Sequence, residues 1–417
     1  MRVATYPPAG PASVGLEPLV ARAFRSPFFR RRLERAGLTE GRAFGWDRWR
    51  AIPPTTKDEL RLLDSFRTEL VIAPDEEIVE YWRSGGVTGR PLFYPRTAED
   101  IARSLDAFER SLRFAGVSNT DTFLISLPIG IHPAGQQMAR GAERIGAATV
   151  WAGAGNQTPS NVQIELVHEL GVTVWCGMAS FALHLAHLAE GAGRPLATSR
   201  VKTLVTTAEM LSPSKRALLS RLWGARVVDT FGMSEITLMG AECGRRPGLH
   251  VWSEYSFCEV LDADSHEPVP DGEVGVLCVT PIAGGHAIPF VRWLSGDVVR
   301  LEYGCDCAAA AHPRMIHSGR TLSFFKVKGV NLNHAEVEDA LYSVEALEDF
   351  CVAVLEGERL RVEVEAAKGT DGAVRAAVDD IFRVRFGLRA EVSVVERGTI
   401  ARSVENQLKA QRFVDHR

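Results

Sequence analysis

The sequence predicts a multi-domain α/β (α+β) protein: a large N-terminal part with βαβ sheets and a small barrel-like β portion, then a small α+β C-terminal part. Three observations predict it. Between about Asp121 and Asp229, β-prone runs alternate with helical ones, the pattern of βαβ units on a largely parallel sheet. After Phe231 the runs shorten and Gly-rich turns separate them, as antiparallel or barrel-like strands require. From Asn333 a further αβ segment runs to the end, beyond a boundary signal at Ser318-Gly319-Arg320, and this tail of about 95 residues is long enough to be a domain.

From Leu16 to Gly37, the apolar residues Leu19, Val20, Phe24, Phe28, Phe29 and Leu33 recur near helical spacing, and Ser26-Pro27 divides the run into two short helices. The Arg30–Arg32 triplet reads as a solvated helix face or as an anionic-ligand patch. Pro53-Pro54 breaks the chain before a helix whose N-cap is Thr55 or Thr56. In the alternating region, strands are expected at Thr122–Leu127, Ala148–Trp151, Val172–Cys176 and Val201–Val205, with helices near 135–145, 160–170, 178–190 and 213–222. Past Phe231, Asp271–Thr280 and Pro289–Leu301 read as strands.

A chain of 417 residues, 46% hydrophobic and 24% charged, can bury a sizeable core. Its 48 Lys and Arg against 52 Asp and Glu leave a formal charge of -4 with no long like-charge block. That balance points away from nucleic-acid partners and disorder, and toward small molecules or proteins. No apolar run reaches the roughly eighteen residues of a membrane span, and Met1–Gly10 lacks a signal-type stretch, so a cytoplasmic protein is expected. Seven scattered cysteines favour reduced thiols or metal ligands over a disulfide framework.

Residues 79–95, VEYWRSGGVTGRPLFYP, place Ser84, Gly85, Gly86, Val87, Thr88, Gly89 and Arg90 between two β-prone runs. Glycines let backbone N–H groups approach an anion, hydroxyls add donors and Arg90 adds charge, which suits a phosphate; an ordinary hairpin turn fits the segment equally well. A Walker-type loop is excluded, because GxxxxGK[ST] is missing. Gly153-Ala154-Gly155 lacks the third glycine of a dinucleotide fingerprint and reads as a loop.

Further segments follow in order: Thr207-Ala208-Glu209-Met210, Asp229-Thr230-Phe231-Gly232-Met233-Ser234-Glu235, Arg292-Trp293-Leu294-Ser295-Gly296-Asp297, and Gly319-Arg320 leading to Gly329-Val330-Asn331. With the glycine loop, this set resembles the adenylate-forming superfamily over nearly the whole chain. IGIHPAGQQMARGAERIGAATV (129–150) and FFRRRLERAGL (28–38) look like its phenylacetate-CoA ligase branch. The resemblance implies an adenylation domain, residues 1–319, and a mobile C-terminal lid, residues 320–417. Ser84 to Arg90 would hold the β- and γ-phosphates of ATP, and Glu235 would help hold Mg²⁺. Asp297 would accept from the ribose hydroxyls, with Arg320 near the same sugar. Ala208, Glu209, Met210, Asp229, Thr230, Phe231, Gly232 and Ser234 would surround the nucleotide, with Phe231 offering a stacking face. Residues 398–417 resemble the family's C-terminal segment and put Lys409 at its catalytic lysine, where an ammonium would stabilise charge shifting between carboxylate and α-phosphate. The stretch from Ser403 to Lys409 is about two residues longer than the usual pattern.

Cys243, His250, Cys305 and Cys307 form C-x6-H followed by C-x-C, a full tetrahedral set for Zn²⁺, and the resembled branch carries similar residues at similar places. A closed set of this kind is structural, with His312 in reserve. Cys176, Cys258, Cys278 and Cys351 sit in apolar runs and read as core.

Two departures from the family pattern bear on function. Leu322-Ser323 stands where the hinge usually has an Asp pair, and Ile129, Ile131 and His132 stand where the branch tends to carry aromatic residues near the acyl pocket. His132 either donates to a polar ring substituent, approaches the carboxylate or is structural, and Trp151 is a second pocket candidate. The reading implied is a two-step ligase that converts an aryl or heteroaryl carboxylic acid and ATP to an acyl-adenylate and then to a CoA thioester. The alternatives are transfer to a carrier-protein thiol, an amine or another biosynthetic nucleophile, and a non-catalytic nucleotide-binding homologue. A homodimer is allowed by the resemblance, without an interface being indicated.

Overall fold

The computed structural model describes residues 12–41, 45–84, 91–321, 324–400 and 412–417. Gly85, Gly86, Thr88, Gly89 and Arg90 of the expected phosphate loop, the Leu322-Ser323 hinge and Lys409 lie outside the described residues. The chain forms two compact units, one of Met1–Ser118, Ile129–Gly146 and Thr230–Thr321, the other of Asn119–Pro128, Ala147–Asp229 and Leu322–Arg417.

The first unit opens on the two expected helices, Ala12–Ala23 and Pro27–Arg35. Ser26 caps the second by accepting from the Phe29 amide, and Pro27 suits the first helical position. The arginine triplet is a locally paired face: Arg31 meets Glu69 at 2.6 Å and Arg32 meets Glu59 at 2.9 Å. Of the two threonine candidates, Thr56 caps Lys57–Arg61 in a capping box with Glu59, while Thr55 donates its hydroxyl to the Val291 carbonyl. Ile78–Arg83 and Phe93–Thr97 pair as an antiparallel hairpin. Helices Ala98–Phe114 and Pro133–Ile145 pack closely at Gly141, where a Cβ would stand 3.1 Å from Phe108. An antiparallel sheet runs in the spatial order Ser256–Leu261, Gly275–Pro281, Trp293–Glu302, Arg314–Arg320, Leu249–Val251 and Leu238–Glu242. The two strands expected past Phe231 start about four residues late: Asp271-Gly272 is spent on a turn, and Arg292 at φ 49° breaks the extended run before Trp293. Phe29, Trp49, Tyr94 and Phe290 are buried in the unit's core, each stabilising it by roughly 1.5–3 kcal/mol.

The second unit holds a parallel sheet in the order Ala148–Trp151, Thr122–Ile125, Val174–Gly177, Thr203–Thr206 and residues 226–229 of Arg226–Gly232. Helices Ser160–Glu169, Ala179–Gly191 and Pro213–Trp223 make the connections. The strands expected from Val172 and Val201 begin later, at Val174 and Thr203, and the one expected to Leu127 ends early, at Ile125. The Val172 amide still closes the preceding helix by donating to Val167, which delays the strand to Val174. At the end of Thr122–Ile125, the Ser126 hydroxyl turns to Gln163 at 2.7 Å. The C-terminal residues add a hairpin, Phe324–Val327 with Val330–Asn333, and helix His334–Tyr342 capped by Asn333. A four-stranded sheet follows, in the order Ala390–Val394, Arg359–Ala366, Leu347–Leu355 and Phe413–Asp415. Cys176, Cys258, Cys278 and Cys351 all lie in strands, the first and third fully buried. Among the described residues no helix is long and apolar enough to cross a membrane.

Candidate functional site

The first unit gathers a polar cluster where the glycine loop begins. The capping box at Thr56 starts the helix so that Lys57 is its first residue, and Lys57 Nζ reaches Ser84 Oγ at 2.6 Å and Glu235 Oε1 at 3.5 Å. Tyr94, on the strand that closes the hairpin, donates its hydroxyl to Glu235 Oε1 at 2.9 Å. Burial, with the Glu235 charge beside it, pushes the Tyr94 phenol well up, so the hydroxyl stays a donor. Arg96, two residues on, donates to the Ser234 carbonyl at 2.6 Å and the Glu235 carbonyl at 2.9 Å, and its guanidinium lies 4.5 Å above the Trp82 ring. Glu235 is thus fixed by its main chain and its side chain together. Both side-chain contacts fall on Oε1 among the described residues, so Oε2 suits a hard cation. Lys57, Tyr94 and Arg96 were not legible as site residues, because nothing in local spacing connects them with Glu235.

Thr230, Phe231 and Gly232 pair with Ala241, Gly240 and Leu238. Gly232 is obligatory there, since a Cβ would sit 2.6 Å from the Thr237 carbonyl oxygen. Phe231 leans on the His317 ring, with centroids 5.6 Å apart. His317 Nε2 lies 3.1 Å from Asp297 Oδ1 and Arg320 Nε lies 3.4 Å from it. Asp297 and Arg320 are direct cross-strand partners, so sheet register brings together two residues proposed for one sugar. Burial would raise the Asp297 carboxyl, but the His317 hydrogen bond and the Arg320 charge outweigh it and hold it below the usual carboxylate range. The carboxylate is therefore an ionised acceptor at neutral pH.

Ile129, Ile131 and His132 also belong to the first unit. Ile131 is exposed; its carbonyl accepts from the Arg83 amide, while His132 Nδ1 faces the Arg83 carbonyl at 3.1 Å. Burial lowers the His132 pKa and favours the neutral ring. A carbonyl only accepts, so Nδ1 carries the proton and Nε2 is an acceptor. The Arg83 contact is itself structural, and a neutral ring in this tautomer would offer a substituent an acceptor at Nε2.

In the second unit, Ala208, Glu209 and Met210 follow strand Thr203–Thr206. Ala208 is held at φ 71°, a strained conformation for a residue with a side chain. The Glu209 carboxylate accepts from the Ser180 amide and lies 3.8 Å from Lys215 Nζ. Burial would raise its pKa, but Lys215, Arg412 and the Ser180 amide keep it low. Its carboxylate is committed to that network. Asp229 accepts from the Thr206 hydroxyl at 2.8 Å across the parallel strand pair. Trp151 ends its strand with 41% of its surface exposed.

Cys243, His250, Cys305 and Cys307 converge in the first unit, each offering one ligand atom within 4.8 Å of the others. Cys243 Sγ and Cys305 Sγ are 3.8 Å apart, and Cys307 Sγ is 3.2 Å from His250 Nε2. Two thiolates on one tetrahedral Zn²⁺ at about 2.3 Å each would stand about 3.8 Å apart, so the donor set fits. His250 Nδ1 donates to the His312 carbonyl at 3.2 Å, which aims Nε2 at the thiols. The Arg245 and Ala309 amides donate to the Cys243 and Cys307 sulfurs. His312 is not a reserve ligand: its ring packs with Arg110 at 2.9 Å, and only its carbonyl serves the cluster.

Residues 58–282 match the family model described as AMP-binding enzyme. A phenylacetate-coenzyme A ligase of Thermus thermophilus is 30% identical over 360 residues, 84% of this chain and 80% of that protein. One of Pseudomonas putida is 26% identical over 90% of this chain and 87% of its own length. The crystal structure of 2-hydroxyisobutyryl-CoA ligase in the postadenylation state shares the fold at a TM-score of 0.88 and 22% identity, covering 97% of this chain and 89% of that one. The mixed α/β architecture, with its large N-terminal part and small β-rich C-terminal part, is the adenylate-forming fold. With the family model covering more than half of its residues, this chain belongs to the AMP-binding enzymes of the adenylate-forming superfamily.

Proposed function

We propose that the protein is an AMP-forming carboxylic acid:CoA ligase that activates an aryl or heteroaryl acid with ATP and passes the acyl group to the CoA thiol. The observation that carries this reading is Glu235, buried and held by Tyr94 and Lys57 beside Ser84. A carboxylate in that setting suits Mg²⁺, which when bound would neutralise phosphate oxygens during adenylation. Lys57 stands where it can add positive charge at the mouth of the glycine loop, and Arg90 would add a second cation with fork geometry. Asp297, ionised and oriented by His317, takes the ribose hydroxyls together with Arg320. Phe231 and the Ala208–Met210 segment flank the adenine. The acid attacks the α-phosphorus, pyrophosphate leaves, and Lys409 stabilises the charge on the reacting oxygens. Residues 320–417 then rotate as a lid, and the thiol displaces AMP. Cys243, His250, Cys305 and Cys307 would hold a structural Zn²⁺, which would fix the Cys305–Cys307 loop.

The acyl pocket favours a substrate unlike phenylacetate itself. Ile129, Ile131 and His132 replace aromatic residues, and the His132 acceptor suits a hydroxyl or N–H on the acid's ring. The Leu322-Ser323 hinge and this altered pocket also motivate a second reading, in which the adenylate goes to a carrier-protein thiol, an amine or another biosynthetic nucleophile.

ATP–pyrophosphate exchange over a panel of aryl, heteroaryl and aliphatic acids, followed by thioester detection with CoA, tests these readings. Exchange with an aryl acid and CoA turnover is the expected result. Exchange without CoA turnover favours the other acceptor, and no exchange with any acid leaves only a nucleotide-binding homologue.

A further inference from the structure

Lys215, in the first turn of helix Pro213–Trp223, is 1% exposed and is shared between two carboxylates from different parts of the second unit. Its Nζ lies 3.4 Å from Glu338 Oε1, on the C-terminal helix His334–Tyr342, and 3.8 Å from Glu209 Oε1, in the segment expected beside the adenine. The same ammonium stands 5.7 Å from the centre of the Tyr342 ring. One residue before Lys215, the Ser214 amide donates to Asp339 Oδ1 at 3.0 Å, so a second C-terminal carboxylate sits on the free amides of that helix N-terminus. Behind this contact the C-terminal segment is braced: Arg412 makes a two-pronged pair with Asp349 at 2.7 and 3.0 Å, and the Tyr342 hydroxyl donates to Asp349 at 3.4 Å.

Packing alone does not call for a charge here. A buried ammonium is costly to desolvate, and a hydrophobic side chain of similar volume often serves stability as well or better. The charges add partner choice: the Lys215 ammonium faces Glu338 of helix His334–Tyr342 on one side and Glu209 on the other. Next to Glu209, Ala208 sits at a strained φ of 71°, and the Glu209 side chain is held by the Ser180 amide and Lys215.

We infer that Lys215 is a positioning residue that couples the nucleotide segment to the docked state of the lid, through Glu209 on one side and Glu338 on the other. The inference rests on the ligase reading above. Adenylation requires the lid to be docked with Glu338 on Lys215 and Asp339 on the Ser214 amide. Thioester formation requires those two contacts to break, and Glu209 then remains to pair the ammonium, so the helix keeps its partner through the movement.

The test uses full-length Glu338→Gln and the double variant Glu338→Gln/Asp339→Asn, with two readouts. Half-reactions are measured separately: ATP–pyrophosphate exchange, and CoA thioester formation from supplied acyl-adenylate. Exchange is expected to fall about tenfold or more, in kcat and not in the KM for the acid, while the thioester step is unchanged or faster. Amide hydrogen exchange, which needs no turnover, is expected to show faster exchange in peptides covering 213–223 and 334–342. Parallel loss of both half-reactions, or unchanged values in both, overturns the inference, as does unchanged amide protection. Failure of the ligase reading is distinguishable, because wild-type protein would then show no exchange with any acid while the variants still lost protection at 213–223; that outcome would reduce Lys215 to a docking contact and overturn its role in adenylation.

Discussion

Tyr94 donates its phenolic hydrogen to Glu235 Oε1 at 2.9 Å, across 141 residues of sequence, from the strand that closes the hairpin begun before Ser84. Lys57 contacts the same oxygen at 3.5 Å, and the cation proposed for this site would take Oε2. A hydrogen bond to a charged group contributes about 1.5–3 kcal/mol, so Tyr94→Phe is expected to lower adenylation on the order of tenfold to a hundredfold and to shift its Mg²⁺ dependence to higher concentration. Exchange rates titrated with MgCl₂ check this; an unshifted midpoint would remove Glu235 from cation binding.

Lys57 bonds Ser84 Oγ at 2.6 Å from a helix that its own capping box stabilises without it. Lys57→Met is therefore expected to leave the melting temperature nearly unchanged while raising the KM for ATP about tenfold, with partial rescue in Lys57→Arg. Steady-state kinetics at varied ATP would decide it, and an unaltered KM would reduce the lysine to a surface pair.

Asp297 gives a pH prediction. Its carboxyl is held below its ordinary value by His317 and Arg320 against the opposing effect of burial. Such a group stabilises the fold above the unfolded carboxyl pKa of about 3.9, and the contribution is lost as pH falls through the lower folded value. Asp297→Asn should be less stable than wild type at pH 7, and the gap should narrow below about pH 4. Urea melts at pH 7 and at about pH 3.5 measure it; a gap that widens in acid would contradict the assignment. The same variant should bind AMP more weakly at neutral pH.

Metal analysis of protein purified without chelator should return one zinc per chain. Cys307→Ser should lose it and melt earlier. Gly240→Ala provides a sharper check, because a Cβ there would lie 2.2 Å from the His250 carbonyl oxygen and push apart the strands Leu238–Glu242 and Leu249–Val251. Zinc should be lost although none of the four residues is altered; no zinc in wild type, or full zinc with an unchanged melting temperature in both variants, would rule out a structural metal on this set.

Lys409→Ala should nearly abolish adenylate formation and leave thermal stability intact, because the role proposed for it is charge stabilisation. Wild-type exchange in that variant would transfer the role to another cation, with Lys57 the next candidate.

Much of the architecture was open to inspection in the linear chain. Ser26-Pro27 and the Thr55-Thr56 pair marked helix starts because a cap is a local hydrogen bond to an amide three residues away, and the structure chose Thr56 of the pair. The alternation from Thr122 to Asp229 announced the parallel sheet because burial on both faces produces apolar runs at regular intervals. Cys243, His250, Cys305 and Cys307 were readable as one cluster by residue type, and the motif order carried the family. Errors gathered at strand starts, where Val172 serves the preceding helix and Arg292 leaves the extended region.

Sequence by itself thus determined which elements form, which family they belong to and which residue types could hold nucleotide and metal, because caps, periodicity and motif spacing act over a few residues. Only the tertiary structure decided how those residues are aimed. It set Tyr94 and Lys57 on Glu235, put His317 between Phe231 and Asp297, turned the His312 ring to Arg110 while its carbonyl met His250, and gave Lys215 two carboxylates. Such relationships depend on strand register and on burial that strips water from a charge, and both arise only when segments distant in the chain pack together.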